Sequence, residues 1–383
     1  MDKFFKRTLI GTAVALASTG AMAKQVGVNS DFQVEAYGVA AISIVNYDTD
    51  ETNMGTGVVT DKSTGYDYEN ESRIGFRASK DMFDDLNVFM QIESGYVGEN
   101  GDGATLGNRD TFLGLQGDWG KVRFGRMLTP MYEIIDWPYS NPGLGAAFDW
   151  GSTVKYNRDR HGDMARFDSK DYNGFSFALA AGRGESSVKD NYFYGANAHY
   201  KLGDSFTIHA GIETENDRKL SDAVADKYEV CSVAAGCKDV NDVTQVVGDT
   251  YQSAKAAAQV NADTFGYIVG FEASLPAGFG LAAAYKAGES KDVATGVKSE
   301  QDSYSIIGQY WNGPWGFKLG YAANMESEKA GVKQNDEDSI LSGQLMYVHN
   351  GFVPYVRVAQ RDLKDDGKNT EIFVVRVGLE YGF

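Results

Sequence analysis

Two Asp-Trp doublets, Asp136-Trp137 and Asp149-Trp150, stand thirteen residues apart in the stretch DWPYSNPGLGAAFDW. They use two of the chain's five tryptophans, in a segment too rich in Pro and Gly for a strand or a long helix. An indole beside a carboxylate suits a ligand with two kinds of surface. A pyranose ring is one such ligand: its C–H face lies flat on an aromatic ring, and its rim of hydroxyls donates to carboxylates. Two doublets suit an oligosaccharide better than a single ring. The same residues have a plainer use, because tryptophans can simply anchor a loop and acids can simply set its charge. Where the loop sits decides which use weighs more.

Few other residues offer chemistry. The four histidines, His161, His199, His209 and His349, are scattered along the chain, and each reads as an ordinary wall residue. Nothing resembles a P-loop, a dinucleotide turn or a zinc-ligand cluster, so neither a metal nor a cofactor is expected. A serine-histidine or acidic cluster fit for a hydrolase cannot be assembled, and no enzyme is expected. A net charge of −17 speaks against a nucleic-acid partner. Cys231 and Cys237 lie close together in a polar segment with no histidine nearby. In an exported chain such a pair is expected to form a local disulfide rather than a metal site.

Export is expected from the first 23 residues. Lys3, Lys6 and Arg7 precede a short apolar run from Leu9 to Ala17, and Ala21-Met22-Ala23 supplies a small-residue cleavage site. The apolar run is too short to span a bilayer. Residues 1–23 are therefore read as a signal peptide and 24–383 as one folded unit.

That unit reads as strands and turns. Glycine is abundant at 45, proline scarce at 6, and 22 tyrosines and 21 phenylalanines are spread throughout. Period-two alternation divides it into about 16 strand-like segments, clearest at Asp31–Asn46, Asn87–Tyr96, Phe175–Gly182, Ser303–Trp311 and Glu371–Phe383. Gly203-Asp204, Asn312-Gly313 and Asn350-Gly351 are tight-turn signals. Long polar connections are expected at Thr49–Asn70, Asp217–Ala262, Gly288–Asp302 and Ser327–Asp338. Short and long links thus alternate, as in consecutive antiparallel hairpins with every long loop on one side. At the C-terminus Phe373, Val375, Val377, Leu379, Tyr381 and Phe383 share one face, opposite Arg376 and Glu380. Alternation alone would also fit a secreted β-sandwich. The signal peptide, the hairpin regularity and the aromatic terminus together favour a closed all-β transmembrane barrel, apolar outside and wet inside.

At this point the chain resembles the Gram-negative trimeric porins. The residues that carry the resemblance are SRIGFRASKD (Ser72–Asp81), TFLGLQGDWGKVRFGR (Thr111–Arg126), ARFDSKDYNGFSFALAAG (Ala165–Gly182) and the closing GLEYGF. The resemblance implies a 16-stranded antiparallel barrel in the outer membrane, a homotrimer among lipid and lipopolysaccharide, and a third loop folded inward to narrow the lumen. Counting hairpins puts both doublets on that third loop, where indole faces become walls past which solute slides. Site strength has a limit there, since a conducted solute must leave as readily as it enters.

Parity assigns an opposing basic wall. Arg73 and Arg77 share a face with Gly75, while Ile74 and Phe76 take the lipid side. Arg109 opens the fifth strand by this count, Arg166 alternates with Phe167, and Arg160 shares its parity. Facing Glu133, Asp136 and Asp149, these cations would set a transverse field across the constriction; the alternative for each is an ion pair that only braces the loop. The doublets also resemble those of the chitoporins, the sugar-specific porins of marine vibrios that take up chitin oligosaccharides, and Glu380 matches a pore-facing acid in that subfamily. The expected function is passive, substrate-preferring uptake of such oligosaccharides. A general diffusion porin with cation preference is the alternative, and an adhesive or structural barrel is a third reading.

Overall fold

The computed structural model describes residues 24–25, 32–95, 105–140, 146–150, 153–184, 188–221, 227–232, 236–239, 250–254, 260–365 and 367–383. The expected signal peptide lies outside the described residues, as do the side chains of Trp150, Cys231 and Cys237. Sixteen antiparallel strands close into one barrel. They are β1 (Gln33–Asn53), β2 (Gly65–Asn70 continued by Arg73–Phe83), β3 (Leu86–Ser94), β4 (Thr111–Gly117), β5 (Gly120–Leu128), β6 (Arg160–Ser169), β7 (Phe175–Arg183) and β8 (Tyr192–Leu202). The second half comprises β9 (Phe206–Ser221), β10 (Val260–Ser274), β11 (Phe279–Asp292), β12 (Lys298–Asn312), β13 (Trp315–Asn324), β14 (Asp338–Tyr347), β15 (Phe352–Asp365) and β16 (Lys368–Gly382). Each strand pairs with the next, and β16 returns to β1 from Val39↔Gly382 to Asn53↔Lys368. No sheet edge is left along the seam. Where β2 is interrupted, Ser72 Oγ accepts from Ala41 N at 2.9 Å and patches the ladder.

Polarity settles what surrounds the barrel. On β16, Phe373, Val377, Leu379 and Tyr381 are exposed outward, while Val374, Arg376 and Glu380 are buried inward. The same division recurs around the wall: Ile42, Leu113, Leu179, Ile212, Val269, Ile306 and Val356 are exposed, and Arg166, Asn197, Glu213, Lys286, Lys318 and Arg357 are buried. A water-facing surface does not carry a continuous apolar band, whereas a lipid-facing one requires it. Among the described residues no helix is long and apolar enough to cross a membrane; the strands do so.

The tight turns fall where sequence puts them. At Asn350-Gly351 both residues have positive φ, 48° and 81°, the geometry of a two-residue hairpin turn that Asn-Gly adopts readily. Two expected long loops are corrected. β1 runs on to Asn53 and pairs there with Val59–Asp61, and β11 and β12 continue to Asp292 and from Lys298, which leaves only 293–297 as the link. Strands that rise above the lipid keep their ladder hydrogen bonds but lose the apolar alternation, so their composition mimics loop. Between Asp217 and Ala262 a separate three-stranded sheet forms from Lys227–Ser232, Gly236–Asp239 and Thr250–Ala254, with Cys231 directly opposite Cys237 in the ladder. Arg109 is also corrected: it stands before β4, the fourth strand, because β4 and β5 are both short and joined by a two-residue turn.

Candidate functional site

The link from β5 to β6, residues 129–159, enters the barrel. It opens with α1 (Pro130–Asp136), whose N-cap Thr129 accepts from Tyr132 N at 3.1 Å with Pro130 in the first turn. The helix is amphipathic in the sense the location demands. Met131, Ile134 and Ile135 are buried against the wall, while Glu133 and Asp136 are exposed to the lumen.

A bed of inward glycines receives the loop. A Cβ on Gly288 would stand 2.2 Å from Tyr156 Cγ, one on Gly270 would stand 2.4 Å from Tyr139 Oη, and one on Gly211 would stand 3.2 Å from Ile134 Cδ1. Only residues without side chains let the loop approach this closely. Polar wall residues then hold its backbone. Asn197 donates to Pro130 O (2.8 Å), Ser305 to Tyr139 O (2.7 Å) and Asn324 to Ala147 O (2.7 Å), while Glu213 accepts from Arg158 N (2.7 Å). Phe148, Val154 and Tyr156 fill the space behind, with the Lys286 ammonium 5.2 Å from the Phe148 ring and 5.3 Å from the Tyr156 ring.

The predicted arginines do share one side of the lumen, and nearly all are paired. Arg166 donates to Glu133 on α1 and stands 2.7 Å from Asp168, which Arg123 also meets at 2.7 Å. Arg160 meets Asp110 at 2.7 Å and Arg109 meets Glu93 at 2.5 Å. Arg77 donates to Gln91 at 3.0 Å and lies 4.0 Å over the Tyr37 ring. Glu133 therefore does not oppose the wall across open water; it is tied to it. The solvent displaced by the surrounding barrel works against its charge although the side chain opens to the lumen, but the Arg166 guanidinium outweighs this and holds the carboxyl down to about 2. Asp136 is unpaired among the described contacts. Its side chain is open to the lumen, yet the surrounding barrel displaces much of the solvent near it and raises its carboxyl above the usual range, against the pull of Arg160, Arg109 and Arg73.

The two doublets part company. Trp137 is half-buried at the end of α1, with the Lys318 ammonium of β13 4.5 Å from its ring centroid. Loop 3 thus touches a strand far around the barrel from its own base. Close by, Glu380 of β16 meets Arg357 of β15 at 3.2 Å, and Arg357 lies 3.8 Å over Tyr355. Asp149, by contrast, is only 5 % exposed within the turn Ala146–Trp150, and its Oδ1 has no hydrogen-bond partner. Burial, with Asp136 adding to it against a Tyr132 hydrogen bond, pushes its carboxyl up to about 7. Asp149 does not face the open lumen beside Asp136. Lys318 and Arg357 are additions to the sequence reading. A signal for both exists: each is flanked by apolar residues that face lipid, Phe317 and Leu319 or Val356 and Val358.

Comparison with known proteins agrees with this architecture. Residues 11–347 match the family described as Gram-negative porin. A chitoporin of Vibrio furnissii is 53% identical over 396 residues, covering 100% of both chains. The major outer membrane protein P.IB of Neisseria meningitidis serogroup B is 25% identical, over 60% of this chain and 66% of that one. Among solved structures, a loop L8 deletion mutant of OmpT from Vibrio cholerae superposes with a TM-score of 0.67 at 16% identity, over 92% of this chain and 100% of the other. That last likeness speaks to fold alone.

Proposed function

Given that the chain belongs to the Gram-negative porin family, and so is an outer-membrane channel and not an enzyme, we propose that it admits chitin oligosaccharides by passive, substrate-preferring diffusion. The observation that carries the reading is the Asp136-Trp137 doublet at the lumen end of α1. There a free carboxylate and a half-exposed indole stand side by side opposite an arginine wall. The carboxylate accepts from sugar hydroxyls and the indole offers a face to the ring's C–H patch. Arg73, Arg77, Arg109, Arg160 and Arg166 supply donors and a transverse field that favours solutes able to replace water hydrogen bonds. Glu380, with Arg357 and Lys318, extends the polar track along the far wall. Trp150, the tryptophan of the second doublet, would serve as a further stacking platform. The full-length relative named chitoporin supports chitin as the sugar class.

In the same reading residues 1–23 are removed on export, Cys231 and Cys237 are bridged, and the channel works as a homotrimer whose outer surface meets lipid and lipopolysaccharide. A general diffusion channel favouring cations is the second reading, favoured by the net charge of −17 and the exposed acids of α1. Liposome swelling with size-matched sugars separates the two. Faster entry of N-acetylglucosamine oligomers than of maltose oligomers of equal length is expected; equal rates would support the second reading.

A further inference from the structure

Tyr37, Phe89, Trp311 and Tyr355 face the lumen, and each is the direct ladder partner of a glycine on the next strand: Gly75, Gly114, Gly316 and Gly378. The rings lie over those glycines. A Cβ on Gly75 or on Gly378 would stand 2.3 Å from the tyrosine Cζ, one on Gly316 would stand 2.6 Å from Trp311 Cη2, and one on Gly114 would stand 2.4 Å from Phe89 Cζ. A ring held this way has its back to the wall and its other face toward the lumen. Three of the four faces are taken. Arg77 lies over Tyr37, Arg357 lies over Tyr355, and Trp311 packs against the cluster of Met346, Val353 and Tyr355. Phe89 of β3 has no such cover among the described contacts.

The surroundings of Phe89 form a site. Its Cζ and the two neighbouring ring carbons would lie 2.4, 2.7 and 2.9 Å from a Cβ on Gly114, so the ring turns a face and not an edge to the wall. Phe112 of β4 meets it at 78° with centroids 6.0 Å apart, and the two rings make an apolar corner. The corner opens on a recess of about 390 Å³, inside the range of roughly 300–1,000 Å³ found for small-ligand sites. Glu35, Asn87, Gln116 and Lys121 line the recess, and the first and third of these are exposed. A carboxylate, two amides and an ammonium match a ligand that carries both hydroxyls and an amide.

Position links this recess to the constriction. It lies next to the short turns that join β2 to β3 and β4 to β5, the periplasmic end of a barrel of this kind. Arg123 in its lining meets Asp168, which also meets Arg166, and Arg166 donates to Glu133 on α1. A polar track thus runs from loop 3 down the wall to the aromatic corner.

We propose that the recess is an exit subsite holding one N-acetylhexosamine unit after it has passed loop 3. The C–H patch of the pyranose lies on Phe89 and the acetamide methyl against Phe112. Gln116 and Asn87 meet the acetamide, Glu35 accepts from hydroxyls, and Lys121 donates to sugar oxygens. The subsite rests on the sugar reading above and extends it. A chain leaving the constriction moves onto a second aromatic face instead of straight into water, which eases its release from the first.

The test is a saturation-transfer-difference NMR titration of chitobiose with the purified full-length channel in detergent, with cellobiose as the control that lacks acetamides. The parent should bind chitobiose better than cellobiose. Trp137→Ala, which removes the indole of loop 3, should still bind chitobiose, more weakly than the parent. Adding Phe89→Ala to that variant should weaken the remaining binding by about tenfold, at the low end of what stacking on an aromatic ring contributes. Phe89→Leu, which keeps bulk over Gly114 but loses the flat face, should do the same. Normal heat-modifiable migration of each variant shows that it has folded. Binding in Trp137→Ala that neither Phe89 substitution weakens, or that does not distinguish chitobiose from cellobiose, would overturn the subsite. No binding left in Trp137→Ala alone would also overturn it while the sugar reading of loop 3 stands. A parent that binds neither disaccharide would remove both.

Discussion

Asp149 shows how far a single residue can depart from what its neighbours in sequence suggest. By sequence it mirrors Asp136, each preceding a tryptophan. In the fold one carboxylate faces the lumen and the other turns into the core of its own loop. The choice depends on how the turn Ala146–Trp150 rolls against β12, β13 and β14, which composition does not encode. A pH dependence follows. An acid whose folded value is raised, here from 3.8 to about 7, favours the folded loop while protonated. That contribution is full below the unfolded value and is lost as pH rises through about 7. Asp149→Asn, which keeps the neutral form, should quieten loop-borne current noise near pH 8 and change nothing near pH 4. Single-channel recordings at both pH values check this, and equal noise in variant and parent at the higher pH would mean that Asp149 is already comfortably solvated. The arginines were legible by parity at Arg73, Arg77 and Arg166. The acids that hold Arg109, Arg160 and Arg166, namely Glu93, Asp110 and Asp168, were not, since parity gives the face of a side chain and not its height in the barrel.

Loop 3 as an element stays in place because the wall beneath it lacks side chains. Gly288→Val should force Tyr156 off β11, since a Cβ there meets Tyr156 Cγ at 2.2 Å and the strand backbone cannot yield. Overpacking of this kind costs about 1–3 kcal/mol, enough to loosen a loop without opening a barrel held by sixteen strands. Altered and noisier conductance with a normally heat-modifiable barrel on gels is expected. Gly308→Ala is the matched control, because its Cβ meets nothing within 4 Å. Unchanged conductance in Gly288→Val would show that the loop adapts. The barrel strands were legible from sequence wherever lipid touches them, because lipid imposes the alternation. Residues 288–302 were not, because above the membrane both faces are polar and the ladder's backbone hydrogen bonds leave no trace in composition.

At the scale of the whole molecule, a ring of apolar side chains faces lipid, and a lumen of paired charges is narrowed by one loop that touches the far wall. The arginine side is held by acids, so removing a cation leaves its partner behind. Arg109→Ala frees Glu93 and should shift the reversal potential in a salt gradient further toward cations; an unchanged potential would place that pair off the conduction path. The central claim, that the lumen is a sugar-binding wall and not merely a wet hole, rests on Trp137. Its most direct test is a single-channel titration of the parent and of Trp137→Ala with chitohexaose. Stacking on an aromatic ring contributes about 1–3 kcal/mol in the comparable case of nucleobases, so block by the hexamer should weaken by roughly one to two decades. Open-channel conductance should meanwhile hold or rise, as bulk leaves the lumen. Block of equal strength in parent and variant, at equal conductance, would contradict the account.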